Sequence, residues 1–143
     1  MEQQLTELEQ ACQRRETDRV AALVERVLAL YRGEFLANES DYPWVLSMRE
    51  RLRARFLRQV ESAARAFTGG HRHDRAIDCY RKAIEVDPLI EGFYRGLMQS
   101  YLAAGHPAEA LATFANCQTI LRRQLDVAPS ADIQALALKI KAS

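Results

Sequence analysis

The chain has 143 residues, a common length for one domain, and its 20 Lys and Arg against 19 Asp and Glu leave it nearly neutral. That balance excludes the strong overall attraction to nucleic acid or anionic membrane that a basic domain has. The three cysteines form no CxxC pair, and their odd number argues against a disulfide framework and for a reducing compartment. No apolar run approaches the ~20 residues of a membrane span, and the acidic start lacks a signal-peptide pattern. We therefore expect a cytoplasmic protein without a membrane segment.

Hydrophobic residues at helical spacing predict an all-α chain, beginning with a helical hairpin over residues 1–33. Its first helix carries an apolar stripe from Leu5 and fades around Arg15. Its second helix begins with Thr17 or Asp18 as the N-cap and ends at Gly33, which supplies a left-handed residue. Compared with the rest of the chain, this hairpin is a degenerate repeat.

Residues 34–43, EFLANESDYP, have no helical period and mix acidic with aromatic side chains. We expect an ordered loop that aromatic residues pin to the body. A long helix then runs from about Trp44 to Phe67 on one continuous apolar stripe, and Gly69 and Gly70 end it.

Three further helices and a cap complete the predicted chain. Asp74 can cap the fourth helix, which closes at Asp87-Pro88 because proline disfavours helical geometry in the residue before it. The fifth helix ends at Gly105, and the sixth runs from Pro107 to about Leu125. A final helix over 130–141, capped by Ser130, should close the stack. It is expected to bury Ile133, Leu136 and Ile140 and to turn Gln134, Lys139 and Lys141 to water.

A shift of 34 residues superposes seven positions of the same class between the two halves of the segment 44–125. This is the tetratricopeptide period, and a small, aromatic, small pattern at i, i+4 and i+7 suits two closely packed antiparallel helices. The pattern occupies Ala76, Tyr80 and Ala83 and returns at Ala110, Phe114 and Cys117. We predict a tetratricopeptide-like, right-handed stack of about seven helices. An ordinary helical bundle with chance self-similarity is the alternative.

Such stacks commonly hold a partner on the concave face that the first helix of each hairpin builds. By register, five side chains should line that face and form a partner-binding surface: Arg58, Glu61, Arg65, Arg95 and Gln99. A solvated charged face without a ligand is an equally good interpretation of any one of them.

The long helix also concentrates six arginines between Arg49 and Arg65, and Arg51, Arg55 and Arg58 share a face. They could contact nucleic acid, form ion pairs on a solvated face, or bind a partner protein. Because part of this face should pack against the neighbouring hairpin, we do not expect direct contact with nucleic acid.

We find no pattern that carries catalysis. His71 and His73 flank Arg72 in one turn and His106 lies in another, and further metal ligands are missing from the nearby sequence. The nucleophile elbow, phosphate loop, zinc-protease and dinucleotide fingerprints are also missing. We therefore expect no enzyme activity, no catalytic residues, no cofactor and no metal.

Several segments together resemble the bacterial transcriptional activator domain of SARP-type regulators and of some ATPase-linked activators. They are the LYRGEFL run around Gly33, Trp44 leading into RERL, AIDCYRKAIEVDP at 76–88, AEALA at 108–112 and LDVAPS at 125–130. The resemblance covers nearly the whole chain in the family's order, which predicts a single domain over 1–143.

The resemblance implies a regulatory domain for protein–protein interaction and oligomerisation. Its expected partners are other domains of the same regulator, a second copy, and in some members the transcription machinery. Family members normally also carry a winged-helix or helix-turn-helix domain, whereas the acidic first helix here already belongs to the module. We therefore expect the DNA-binding domain to lie outside this chain. The alternative is a free-standing tetratricopeptide adaptor or chaperone-like scaffold, and the reading frame upstream of Met1 would separate the two.

Overall fold

The structure is a computed structural model that describes residues 2–14, 16–31 and 43–142. Within these residues the chain is all-helical, which confirms the predicted fold class. The seven helices are α1 (Glu2–Gln13), α2 (Thr17–Leu30), α3 (Pro43–Gly69), α4 (His73–Val86), α5 (Glu91–Ala103), α6 (Pro107–Leu125) and α7 (Ala131–Ala142).

The helices pair into three successive hairpins, α1 with α2, α3 with α4, and α5 with α6. Along the stack, α1 packs on α3 and α3 packs on α5, so the first helix of each hairpin adjoins the first helix of the next. Helix α7 packs on both α6 and α5, as the first helix of a further hairpin would. This arrangement makes the first helices one wall of the molecule.

Two helices start earlier than their acidic residues suggested. Glu16 is the N-cap of α2, and Arg72 is the N-cap of α4. Asp18 and Asp74 are therefore first-turn residues rather than caps, where a negative charge still suits the positive end of the helix dipole. The cap predictions at Thr17 or Asp18 and at Asp74 were wrong by one or two residues.

Helix ends near glycine also differ in detail from the prediction. Gly69 is the last residue of α3, and His71 adopts the left-handed conformation that follows, with a φ of 59°. Gly105, with a φ of 82°, makes the turn before Pro107, which is the first residue of α6. Gly33 and most of the predicted loop, residues 34–42, lie outside the described residues. The backbone of Trp44 belongs to α3, and its side chain is outside the described part.

The core consists of two adjoining clusters that α5 connects. Phe93 and Leu97 belong to the cluster formed with α1 to α4, whereas Tyr94 and Met98 belong to the cluster formed with α6 and α7. The six small and aromatic repeat positions are all buried: Ala76, Tyr80, Ala83, Ala110, Phe114 and Cys117. Helix α5 therefore carries apolar side chains on two faces, as a helix in the middle of a stack must.

Helix α7 is less polar on its outer side than the sequence suggested. Ile133 and Ile140 are buried, but the third buried position is Ala137, while Leu136 is only half-buried. Leu138 is 67% exposed and lies among the water-facing Gln134, Lys139 and Lys141. The end of the stack therefore presents a mixed surface.

Candidate functional site: a groove between α3 and α5

Two adjoining depressions of about 270 and 310 Å³ lie between α3 and α5 and share Arg65, Tyr80, Gly96 and Gln99 in their walls. We call the pair the α3–α5 groove. Its walls include four of the five residues that register assigned to the partner-binding surface: Glu61, Arg65, Arg95 and Gln99. The fifth, Arg58, is exposed on α3 outside these walls.

The floor of the groove exists because Gly96 has no side chain. A Cβ atom built on Gly96 would lie 2.2 Å from Cζ of Tyr80 and 2.6 Å from its hydroxyl oxygen, so the ring rests on the α5 backbone. One turn earlier, a Cβ on Gly92 would lie 2.7 Å from Cδ1 of Leu57. Two glycines therefore let side chains from α4 and α3 lie directly on α5.

Charged and polar side chains surround the Tyr80 ring where the groove opens to solvent. Arg65 donates from Nε to the main-chain carbonyl of Glu61 at 3.4 Å, and the side chains of Arg65, Arg95 and Gln99 are exposed. Nη1 of Arg95 lies 3.9 Å from Oδ2 of the exposed Asp132, a pairing that contributes little in water. Both guanidinium groups are therefore accessible to a ligand.

The Tyr80 hydroxyl is held in its protonated form. Burial raises the pKa of Tyr80, the carboxylate of Glu61 raises it further, and Arg65 and Arg95 only partly oppose this. No described residue forms a hydrogen bond with this hydroxyl, so it remains a donor at the floor of the groove.

The positions of α3 and α5 depend on a buried carboxylate, Asp87, in the turn between α4 and α5. Its Oδ2 accepts a hydrogen bond from the Tyr31 hydroxyl at 2.8 Å and lies 3.3 Å from Nε of Arg53. Its Oδ1 accepts from the backbone N–H of Leu89 at 3.3 Å. These donors compensate for the burial of a charge and tie the first hairpin, α3 and the turn together.

Aromatic stacking extends this tie into the core. The rings of Tyr31 and Phe56 stack with centroids 4.0 Å apart, and Phe56 meets Phe93 edge-on at 5.6 Å. Burial, followed by the hydrogen bond to Asp87, raises the pKa of Tyr31 and keeps its hydroxyl a donor. From the sequence, Asp87 is expected only to end a helix. Glu85 and Glu91 lie close by in the chain, so the local sequence did not distinguish this acid.

The arginines of α3 whose side chains are described, from Arg51 to Arg65, divide among three roles. Arg53 points to Asp87, and Arg55 donates from Nη2 to Oγ1 of Thr6 on α1 at 2.8 Å. Arg51, Arg58 and Arg65 are exposed and lie seven residues apart, on one side of α3. Arg51, Arg55 and Arg58 do share a side of α3 by their spacing, but the contact with Thr6 engages Arg55 within the fold.

A family model, bacterial transcriptional activator domain, matches residues 1–141. The chain belongs to this family.

Among solved structures, the activator domain matches Mycobacterium tuberculosis EmbR in complex with a low affinity phosphopeptide, with a TM-score of 0.66 at 18% identity. The match covers 97% of this chain and 36% of that chain, so the activator domain spans about a third of the length of that protein. At this identity the likeness shows the fold alone. No curated protein sequence matches.

The activator domain also has a depression of about 360 Å³ between α4, α5 and α6. Its floor is apolar, with Ile84, Leu97 and Tyr101, and Glu85 and Glu109 stand at its rim. A third, of about 640 Å³, lies between α1 and α3. Both are also lined by hydrogen-bond donors, Arg81 and Asn116 in the first and Gln13 and Arg65 in the second, but of these three sites the α3–α5 groove alone has two arginines in its walls.

The thiols of the activator domain are poor nucleophiles. Burial raises the pKa of Cys12 to about 11, that of Cys79 to about 12 and that of Cys117 to about 11. In the described ranges, His, Cys, Asp and Glu never come together in a group of three that could hold a metal ion. None of the helices there is long and apolar enough to cross a membrane.

Proposed function

We propose that this activator domain is the regulatory protein–protein interaction and oligomerisation domain of a bacterial transcriptional regulator, and that the DNA-binding domain lies outside this chain. The α3–α5 groove is the observation that carries the proposal. It brings the exposed Arg65, Arg95 and Gln99 and the half-buried Glu61, from two successive hairpins, around an aromatic floor. This is the wall where helical stacks commonly bind partners.

The distribution of arginine supports protein rather than DNA as the partner. Arg53 and Arg55, two of the six arginines in the α3 cluster, are engaged within the fold, and the chain as a whole is nearly neutral. The partners we propose are other domains of the same regulator, a second copy and the transcription machinery. That EmbR binds a phosphopeptide supports a protein partner here. We propose no catalytic activity.

A reporter assay in bacteria tests this function. Residues 1–143 are fused to a phage-type DNA-binding domain that represses only as a dimer, and a second reporter has the same operator upstream of a weak promoter. Restored repression would indicate self-association, and increased transcription would indicate contact with the transcription machinery. The DNA-binding domain alone and a fusion to an unrelated monomeric helical domain are the controls. No effect on either reporter at matched protein levels contradicts the proposal.

Titration of the isolated domain with duplex DNA at ~50 mM salt tests the opposite interpretation. We expect no saturable binding. Salt-sensitive binding that Arg55→Glu and Arg58→Glu abolish would show that these residues contact nucleic acid.

A further inference from the structure

The chemistry of the α3–α5 groove indicates which kind of group it holds. The Tyr80 hydroxyl on the floor, the guanidinium groups of Arg65 and Arg95 on the two walls, and the amide of Gln99 converge on one depression. These groups donate hydrogen bonds, and two of them carry a positive charge. A carboxylate accepts such bonds in pairs from arginine, which makes it the matching ligand.

Outside the groove, positive charge continues along α3. Arg58 and Arg51 lie one and two heptads before Arg65 on the same side of the helix, and all three are exposed. Seven residues of α-helix rise about 10.5 Å, so the three guanidinium groups repeat at roughly that interval. A second helix lying along α3 with acidic residues seven apart would present carboxylates at the same interval.

We propose that the α3–α5 groove and the arginines of α3 bind an acidic helical segment of a partner protein. One carboxylate of that segment lies between Arg65 and Arg95 above the Tyr80 hydroxyl, and further carboxylates pair with Arg58 and Arg51. Glu61, half-buried at the groove wall, repels an acid placed on its side and so favours one register. This inference rests on the proposed function and names the class of partner.

The test uses fluorescence anisotropy with the intact chain and a labelled helix-forming Ala/Gln-rich peptide of about 20 residues with glutamates at seven-residue intervals. A second peptide of identical composition places the same glutamates on scattered faces. We expect saturable binding of the first peptide in ~50 mM salt and at least about fivefold weaker binding of the second. Equal binding of the two peptides, or no saturation by about 1 mM, would overturn the proposal.

Three variants locate the binding site. Arg65→Glu with Arg95→Glu should weaken binding at least about tenfold, whereas Arg26→Glu with Arg123→Glu, an equal change of charge on the exposed surface of α2 and α6, should change it less than about twofold. Tyr80→Phe keeps the ring and removes the hydroxyl, and should weaken binding about threefold or more with unchanged unfolding. Equal losses in the two double variants would mean that net charge alone attracts the peptide.

A peptide of opposite charge distinguishes a changed binding site from a damaged fold. With lysine in place of glutamate, it should bind the Arg65→Glu, Arg95→Glu variant more tightly than the wild type, provided that circular dichroism shows an unchanged helical fold. If duplex DNA instead displaces the acidic peptide with higher affinity, the occupant is nucleic acid and the proposal fails. Failure of peptide binding beside an active reporter fusion would refute this inference and leave the proposed function standing.

Discussion

Replacing Gly96 by alanine should destabilise the domain, although alanine is the better helix former. The new Cβ atom would lie 2.2 and 2.4 Å from two ring carbons of Tyr80 and 2.6 Å from its hydroxyl oxygen, and carbon atoms normally approach to about 3.5 Å. The ring is only 6% exposed, so to make room it must shift toward the groove and give up part of its packing against its neighbours. Overpacking of this kind lowers the free energy of unfolding by about 1–3 kcal/mol, and the higher helix propensity of alanine offsets about 1 kcal/mol of that loss. We expect a net loss of up to about 2 kcal/mol.

Urea denaturation of Gly96→Ala beside Gly69→Ala measures this effect. A Cβ on Gly69 would meet nothing within 4 Å, so the control should be neutral or more stable by up to about 1 kcal/mol. In a Tyr80→Ala background the ring is gone, and Gly96→Ala should then stabilise by about 1 kcal/mol. Equal, favourable effects at Gly96 and Gly69 in the wild-type background would refute the close approach.

Three other changes test the core and the buried carboxylate. Tyr31→Phe keeps the stack on Phe56 but removes a hydrogen bond to buried Asp87. In urea denaturation it should lower the free energy of unfolding by about 1.5–3 kcal/mol. Unchanged stability would mean that this bond contributes nothing. Burial raises the pKa of the Cys79 thiol from 9.0 to about 12, so the folded protein keeps this thiol protonated at a pH where the unfolded chain loses the proton. The stability that this thiol contributes is therefore complete below pH 9 and is lost between pH 9 and about 12. In thermal melts over that range, the free energy of unfolding should fall by about 1.4 kcal/mol per pH unit because of this thiol. The free energy of unfolding of Cys79→Ala should depend less on pH. Ala110→Leu, at a fully buried repeat position, should cost about 1–3 kcal/mol in chemical denaturation, and a near-neutral result would mean that α6 is not closely packed there.

The helices and their order were accessible from the sequence because apolar spacing, glycine and proline act over a few residues. The same register placed Glu61, Arg65, Arg95 and Gln99 on one wall, where the structure has the α3–α5 groove. Their role as a partner-binding surface, and the boundaries of the single domain, stay predictions. The errors fall at helix starts, where an acidic residue suits both the cap and the first turn, and on α7, where Ala137 and Leu136 differ by one position.

The buried carboxylate was inaccessible for a different reason. Tyr31 lies 56 residues before Asp87 and Arg53 lies 34 before it, and no local pattern relates them. Gly96 had a usable signal, since a glycine inside a helix costs about 1 kcal/mol and calls for a packing reason.

The sequence by itself therefore determined an all-helical chain with a 34-residue repeat and a resemblance to one regulatory family, because periodicity and turn residues are local properties. Only the tertiary structure decided how the described arginines of α3, from Arg51 to Arg65, divide between the fold and the exposed surface. That division depends on which sides of α3 its neighbours cover. The packing of the Tyr80 ring against the backbone at Gly96 was likewise decided by the tertiary structure, because it depends on the distance between α4 and α5.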